Sequence, residues 1–119
     1  MKVTLQSSAS KLIIATLLFV ISAGSASAIE ARSTCINAGG VKSHRLKLPN
    51  YETTEIRIVG DGDTDLDAFL YDNNGNLIDS DTDRTDYCVL SVNPLWTGAF
   101  RVVVKNHGRV YNCYTIVVD

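Results

Sequence analysis

The stretch GDGDTDLDAFLYDNNGNLIDSDTD, residues 60–83, carries eight aspartates in 24 positions around one apolar run, Leu66 to Tyr71. That run alternates. Leu66, Ala68 and Leu70 fall on one side and Asp67, Phe69 and Tyr71 on the other, which is the period of a β-strand. Asn73-Asn74-Gly75 suits a three-residue hairpin loop, with Gly75 in the left-handed position after a type I turn. A return strand follows from Asn76 to Ser80. With Asp72 facing Asn76, opposed residues sum to 148 to within about one, which sets Asp67 against Asp81 and Asp65 against Asp83.

The same period of two continues outward. VKSHRLKL (41–48), TEIRIVG (54–60), DYCVLSV (86–92), AFRVVVKN (99–106) and VYNCYTIVVD (110–119) all read as strands, and no helical stripe of useful length occurs. The intervening LPNYE, VGDGD, SDTDRTD, NPLWTG and NHGR are turn chemistry, rich in Gly, Pro, Asn and Asp. Short strands at this spacing indicate a sandwich or a barrel. Residues 29–40, with Gly39-Gly40, read as a loose lead-in held at Cys35, and 41–119 as the folded domain.

The first 28 residues read as a signal peptide. Lys2 and Lys11 form a basic start, Leu12 to Ala23 a 12-residue apolar run, and Ala26-Ser27-Ala28 a small-residue cleavage site. The run is too short to span a bilayer, which needs roughly 20 residues. The expected location is therefore secreted or periplasmic, with no membrane contact after cleavage. Of the 119 residues, 91 remain, with nine basic and thirteen acidic side chains, a net charge of −4. Nine of the thirteen acids lie between Asp61 and Asp86, a surface that repels nucleic acid and anionic lipid. Cations, basic protein patches or neutral glycans are the expected partners.

Three cysteines in an oxidising compartment suggest one disulfide and one free thiol. Cys88 shares a face with Leu90 and Val92 and is expected inside. Cys113 opposes the Tyr114, Ile116, Val118 row and is expected outside, which favours Cys35–Cys113.

Two readings fit the aspartates. Like charges facing each other on paired strands repel, and Ca²⁺, which takes six to eight oxygens, would reverse the sign of that term. The metal candidates are Asp61, Asp63, Asp65, Asp67, Asp72, Asp79, Asp81 and Asp83. On the other reading they are solvated turn residues. An EF-hand loop counted from Asp61 fails, because Leu66 stands where glycine is required and Asp72 where a bidentate glutamate belongs. Phe69, Tyr71, Trp96 and Tyr111 are the candidate ligand contacts. Packing is the ordinary reading of the Asp67–Phe69–Tyr71 row, and plugging a sandwich end that of Trp96. Neither His44 nor His107 sits in a catalytic signature, so no enzyme is expected.

GDGDTDLDAFLYDNNGNLIDSDTD, with LWTGAFRVVVKN and VYNCYTIVV after it, resembles the bacterial pre-peptidase C-terminal domain over about residues 54–118. The resemblance implies an antiparallel, jelly-roll-like β-sandwich of seven or eight strands. Such domains are usually appended to secreted proteases and other hydrolases, where they assist secretion or solubility or bind substrate polymers. Some bind calcium through acidic loops, and Asp65, Asp67 and Asp72 fall on the recurring acidic positions. Ala68 and Phe69 depart from the larger aliphatic and the tyrosine more usual there. The expected function is a non-catalytic, Ca²⁺-stabilised module binding an extracellular polysaccharide or protein. The alternatives are a ligand-free accessory domain and a partner or inhibitor of a secreted hydrolase.

Overall fold

The computed structural model describes residues 30–119; the expected signal segment 1–28 and its cleavage site lie outside the described residues. Eight strands form: β1 (Glu30–Ile36), β2 (Val41–Leu48), β3 (Thr54–Val59), β4 (Leu66–Tyr71), β5 (Leu77–Asp81), β6 (Tyr87–Val92), β7 (Gly98–Asn106) and β8 (Asn112–Val118). They make two antiparallel four-stranded sheets, ordered β1-β8-β3-β6 and β2-β7-β4-β5. Only the β4–β5 hairpin stays within one sheet. Every other connection crosses to the facing sheet, which is the double Greek key of a jelly roll. No helix of the described residues is long and apolar enough to cross a membrane.

The alternating strands supply one face each to the interior. Ile56 and Ile58, Leu66, Ala68 and Leu70, Leu90, Val102 and Val104, and Ile116 are all sealed from solvent. Hydrophobic burial of this kind is the main favourable term in folding. Residues 30–36 correct the expectation of a loose lead-in, because β1 pairs with β8 along its whole length. Its sequence, EARSTCI, has little apolar alternation, so backbone pairing and the Cys35–Cys113 disulfide hold it. The two cysteines face each other across β1 and β8. The Cys113 N–H turns away from β1, donating to Asp61 Oδ2 at 2.8 Å. Cys88 is the free thiol among the described residues, buried, with Sγ donating to the Leu66 carbonyl at 3.1 Å. Burial first, and then the nearby Asp81, Asp83, Asp67 and Asp65 carboxylates, push this thiol up to about 12.

Apart from Asp65 Oδ1, the buried side-chain polar atoms among the described residues have partners. His44 Nε2 and the Tyr114 hydroxyl lie 2.6 Å apart, with the rings edge-on. Burial pushes the Tyr114 hydroxyl up to about 12. Burial first, then Lys42 and Arg32, lowers His44 from its ordinary 6.5. Both groups are held neutral, and the tautomer of His44 sets which of the two donates. Asn106, fully buried, donates to the Ile36, Asn37 and Val110 carbonyls and accepts from Gly108 N–H.

Two outcomes follow. Closing 78 residues of chain, the disulfide contributes roughly 4 kcal/mol by chain entropy. Reduction should therefore lower the melting temperature by more than about 10 °C, and a thiol reagent should label Cys88 only after denaturation. The second concerns acidity. The unfolded chain binds a proton at His44 near pH 6.5 and the folded chain resists it, so this stability is complete above 6.5 and is lost as the pH falls below it. His44→Gln should flatten melting temperature against pH between 6.5 and about 5, where ordinary carboxylates begin to titrate; an unchanged slope would refute the assignment.

Candidate functional site

The hairpin loop forms as the sequence indicates. Gly75 takes φ +86°, and Asp72 N–H donates to the Asn76 carbonyl at 3.0 Å. The Asp72 carboxylate accepts from the N–H groups of Asn74 and Asn76 and from the Asn76 side chain. Those bonds, the Asn76 side chain first, hold its carboxyl below the usual range. Beyond the loop the expected register is corrected. Tyr71 pairs with Leu77, but Leu70 pairs with Asp79 and Ala68 with Asp81, because Ile78 is an extra residue in a bulge. One inserted residue turns every later side chain to the other face. Asp79 and Asp81 thus share the inner side with Leu70 and Ala68 and reach the edge of the facing sheet. Asp81 Oδ2 accepts from Val89 N–H at 2.9 Å, and Asp79 Oδ2 from Ser91 N–H at 2.8 Å. Asp81 does not face Asp67.

The other candidate metal ligands are similarly engaged. Asp61 accepts from the N–H groups of Asp63 and Cys113, while Asp83 accepts both donors of Thr85. Asp67 Oδ2 lies 2.6 Å from His107 Nε2. Asp63 is exposed, and Asp65 Oδ1 is buried without a partner. Asp86, which the sequence reading passed over, accepts from Gly62 N–H and from the side chain of buried Asn112. Among the described residues, no three His, Cys, Asp or Glu side chains stand together so as to hold a metal ion.

The candidate contact residues separate. Leu66, Ala68 and Leu70 fill the interior, so Asp67, Phe69 and Tyr71 lie on the outer face of their sheet, correcting the expectation of core packing. The Arg101 guanidinium sits 5.0 Å over the Tyr71 ring. Trp96 is no plug: it is 57% exposed, with its ring laid against Gly98. Beside it are Leu95, 67% exposed, and Tyr51, 71% exposed, neither of which the sequence reading singled out. Tyr51 holds φ +58° and donates its N–H to the Pro94 carbonyl, while Asn50 and Thr97 bond side chain to side chain. The 49–53 and 93–97 loops are thereby fixed together. Tyr111 is exposed just before β8, at the opposite end.

The sandwich therefore has an acidic end and an aromatic end. Two grooves lie at the aromatic end, sharing Asp72 and Phe100. One, of about 360 Å³, runs between Ile78 and the Pro94–Trp96 loop and is chiefly apolar. The other, of about 390 Å³, lies between Asp72–Gly75 and the pair Arg45 and Arg101.

No protein-family model matches the sequence, and no curated protein matches it. Among solved structures, the fold matches the pre-peptidase C-terminal domain of collagenase from Bacillus anthracis. The TM-score is 0.59 at 9% identity, covering 76% of this chain and 88% of that one.

Because Asp79 and Asp81 serve the β6 edge, Asp79→Ala and Asp81→Ala should each destabilise by about 1 kcal/mol, read as a lower melting temperature. Relief of repulsion within a carboxylate cluster would give a rise instead. Melting in millimolar Ca²⁺ and in chelator tests the metal reading of the same aspartates: a rise of several degrees with Ca²⁺ shows a bound ion, and an unchanged melting temperature leaves capping as their role.

Proposed function

We propose that this chain is a secreted or periplasmic, non-catalytic module that attaches to an extracellular polymer through the aromatic end of the sandwich. One observation carries the reading: Trp96, Leu95 and Tyr51 stand together, all more than half exposed, on two loops bonded to each other. Exposed apolar clusters of this kind on a soluble domain mark interaction surfaces. Rigid aromatic faces suit sugar rings or extended chains, because they offer large contact area at low entropic cost. A tyrosine at positive φ adds to the case, since backbone strain that serves no packing purpose concentrates at functional sites. The apolar groove beside Trp96 has Asp72 as its single ionisable side chain, which suits binding; glycoside hydrolysis by a carboxylate pair needs two. The Cys35–Cys113 disulfide fits an oxidising compartment outside the cytoplasm. The likeness to a collagenase domain adds collagen to the polymers to be tried.

Retention on insoluble collagen, cellulose, chitin and cross-linked polygalacturonate is the test. The protein should sediment with at least one of them, and Trp96→Ala should weaken that retention about tenfold or more, the scale of a buried aromatic anchor. Tyr51→Gly should weaken it without lowering the melting temperature, because glycine accepts the positive φ freely. Undiminished retention of both variants would overturn the assignment of this surface.

A further inference from the structure

We infer that the polymer is an acidic polysaccharide, held by Arg45 and Arg101 on the outer face of the β2-β7-β4-β5 sheet; this rests on the polymer-binding reading above. Arg45 and Arg101 are direct cross-strand partners on β2 and β7. Like charges so placed repel, and an anion between them reverses the sign. Among the described residues, no carboxylate forms a salt bridge with either, nor with Lys47 or Lys105, which flank them on the same outer face. Tyr71, facing Arg101 on β4, stacks under its guanidinium and orients it.

The groove between these arginines and the hairpin loop supplies the remaining recognition chemistry. It is lined by Asp72, Asn73 and Asn74 as well as by the two guanidinium groups. Guanidinium groups take carboxylates or sulfates in bidentate fashion, and amides and a carboxylate bond to hydroxyls. That combination matches a sugar carrying both. A DNA phosphodiester chain, which has no free sugar hydroxyls along its length, leaves Asp72 and the two amides without that partner. This groove meets the apolar groove beside Trp96 at Asp72 and Phe100, so one chain could lie across both.

The net charge of −4 argues for cations or neutral glycans only if charge is spread evenly, and here it is not. β4 runs from the acidic end to Tyr71, six residues and so about 17 Å. Two Debye lengths at physiological salt are roughly that distance. The acidic loops are largely screened from the arginine pair.

The test uses the full secreted chain with immobilised heparin (sulfated), polygalacturonate (carboxylated) and dextran (neutral), plus duplex DNA as competitor. Heparin, polygalacturonate or both should retain the protein at low salt and release it as salt rises, and dextran should not retain it. The arm that binds names the anion. Arg45→Ala with Arg101→Ala should weaken retention at least tenfold without lowering the melting temperature, since it removes a repulsive pair. Retention that the double variant leaves unchanged would overturn the inference, as would equal retention on dextran or displacement by DNA at the concentration that heparin itself requires. If the acidic glycans fail while collagen, cellulose or chitin still binds in a Trp96-dependent way, this inference falls and the polymer-binding reading stands. If nothing binds at all, both fall.

Discussion

Two sheets that share no hydrogen-bond ladder leave four strand edges exposed, and this fold depends on how those edges are closed. Open edges present rows of N–H and C=O groups that invite pairing with other chains. Here they are closed across the gap by side chains of opposite sign. On one flank, β5 lends the Asp79 and Asp81 carboxylates to two amides of β6. On the other, Lys42 Nζ donates to the Cys35 carbonyl and Thr34 Oγ1, and Arg32 donates to the Arg45 carbonyl. Acids cover amides and bases cover carbonyls. The Ile78 bulge is what makes the first half possible, because without it Asp79 and Asp81 would face the outer solvent.

The loops at the acidic end obey the same logic. Asp61, Asp83 and Asp86 each accept backbone N–H groups, and the buried Asn112 accepts from Asp61 N–H while donating to Thr64 and Asp86. Connections between sheets must turn sharply, and sharp turns leave backbone amides without ladder partners. A short carboxylate is an efficient local acceptor. The density of aspartate between residues 60 and 86 is thus explained by crossing loops, with the acids used mostly as capping groups.

The strands, their inner faces, the hairpin glycine and the disulfide were legible because each depends on periodicity or on a local turn. Parity alone put Cys88 inside with Leu90 and left Cys113 on the other side, as found. The bulge was not legible, since nothing in DNNGNLIDSD distinguishes a regular return strand from one with an extra residue. That single ambiguity carried Asp81 to the wrong partner. β1 was missed because EARSTCI lacks apolar alternation and gains its place through backbone pairing. The outward parity of Arg45 and Arg101 was readable in HRLKL and FRVVV; their adjacency was not, because it depends on which strands neighbour one another in the jelly roll. Tyr51 gave no signal beyond following Pro49-Asn50, and its positive φ is a tertiary fact held by Pro94.

What separates the two ends is how much of each is committed to holding the fold. At the acidic end, most polar side chains are bonded to backbone, and two fully buried asparagines tie the loops to the strands. At the aromatic end, the loop backbones are bonded to each other while Trp96, Leu95 and Tyr51 are left facing solvent. A domain of this size has little stability to spare. Keeping a β-favouring tyrosine in a left-handed conformation costs about 1 kcal/mol or more, and exposing its ring returns nothing to the core. Leaving two arginines face to face one strand away adds repulsion of its own. Local rules broken together in one region are the physical ground on which the proposed binding surface rests.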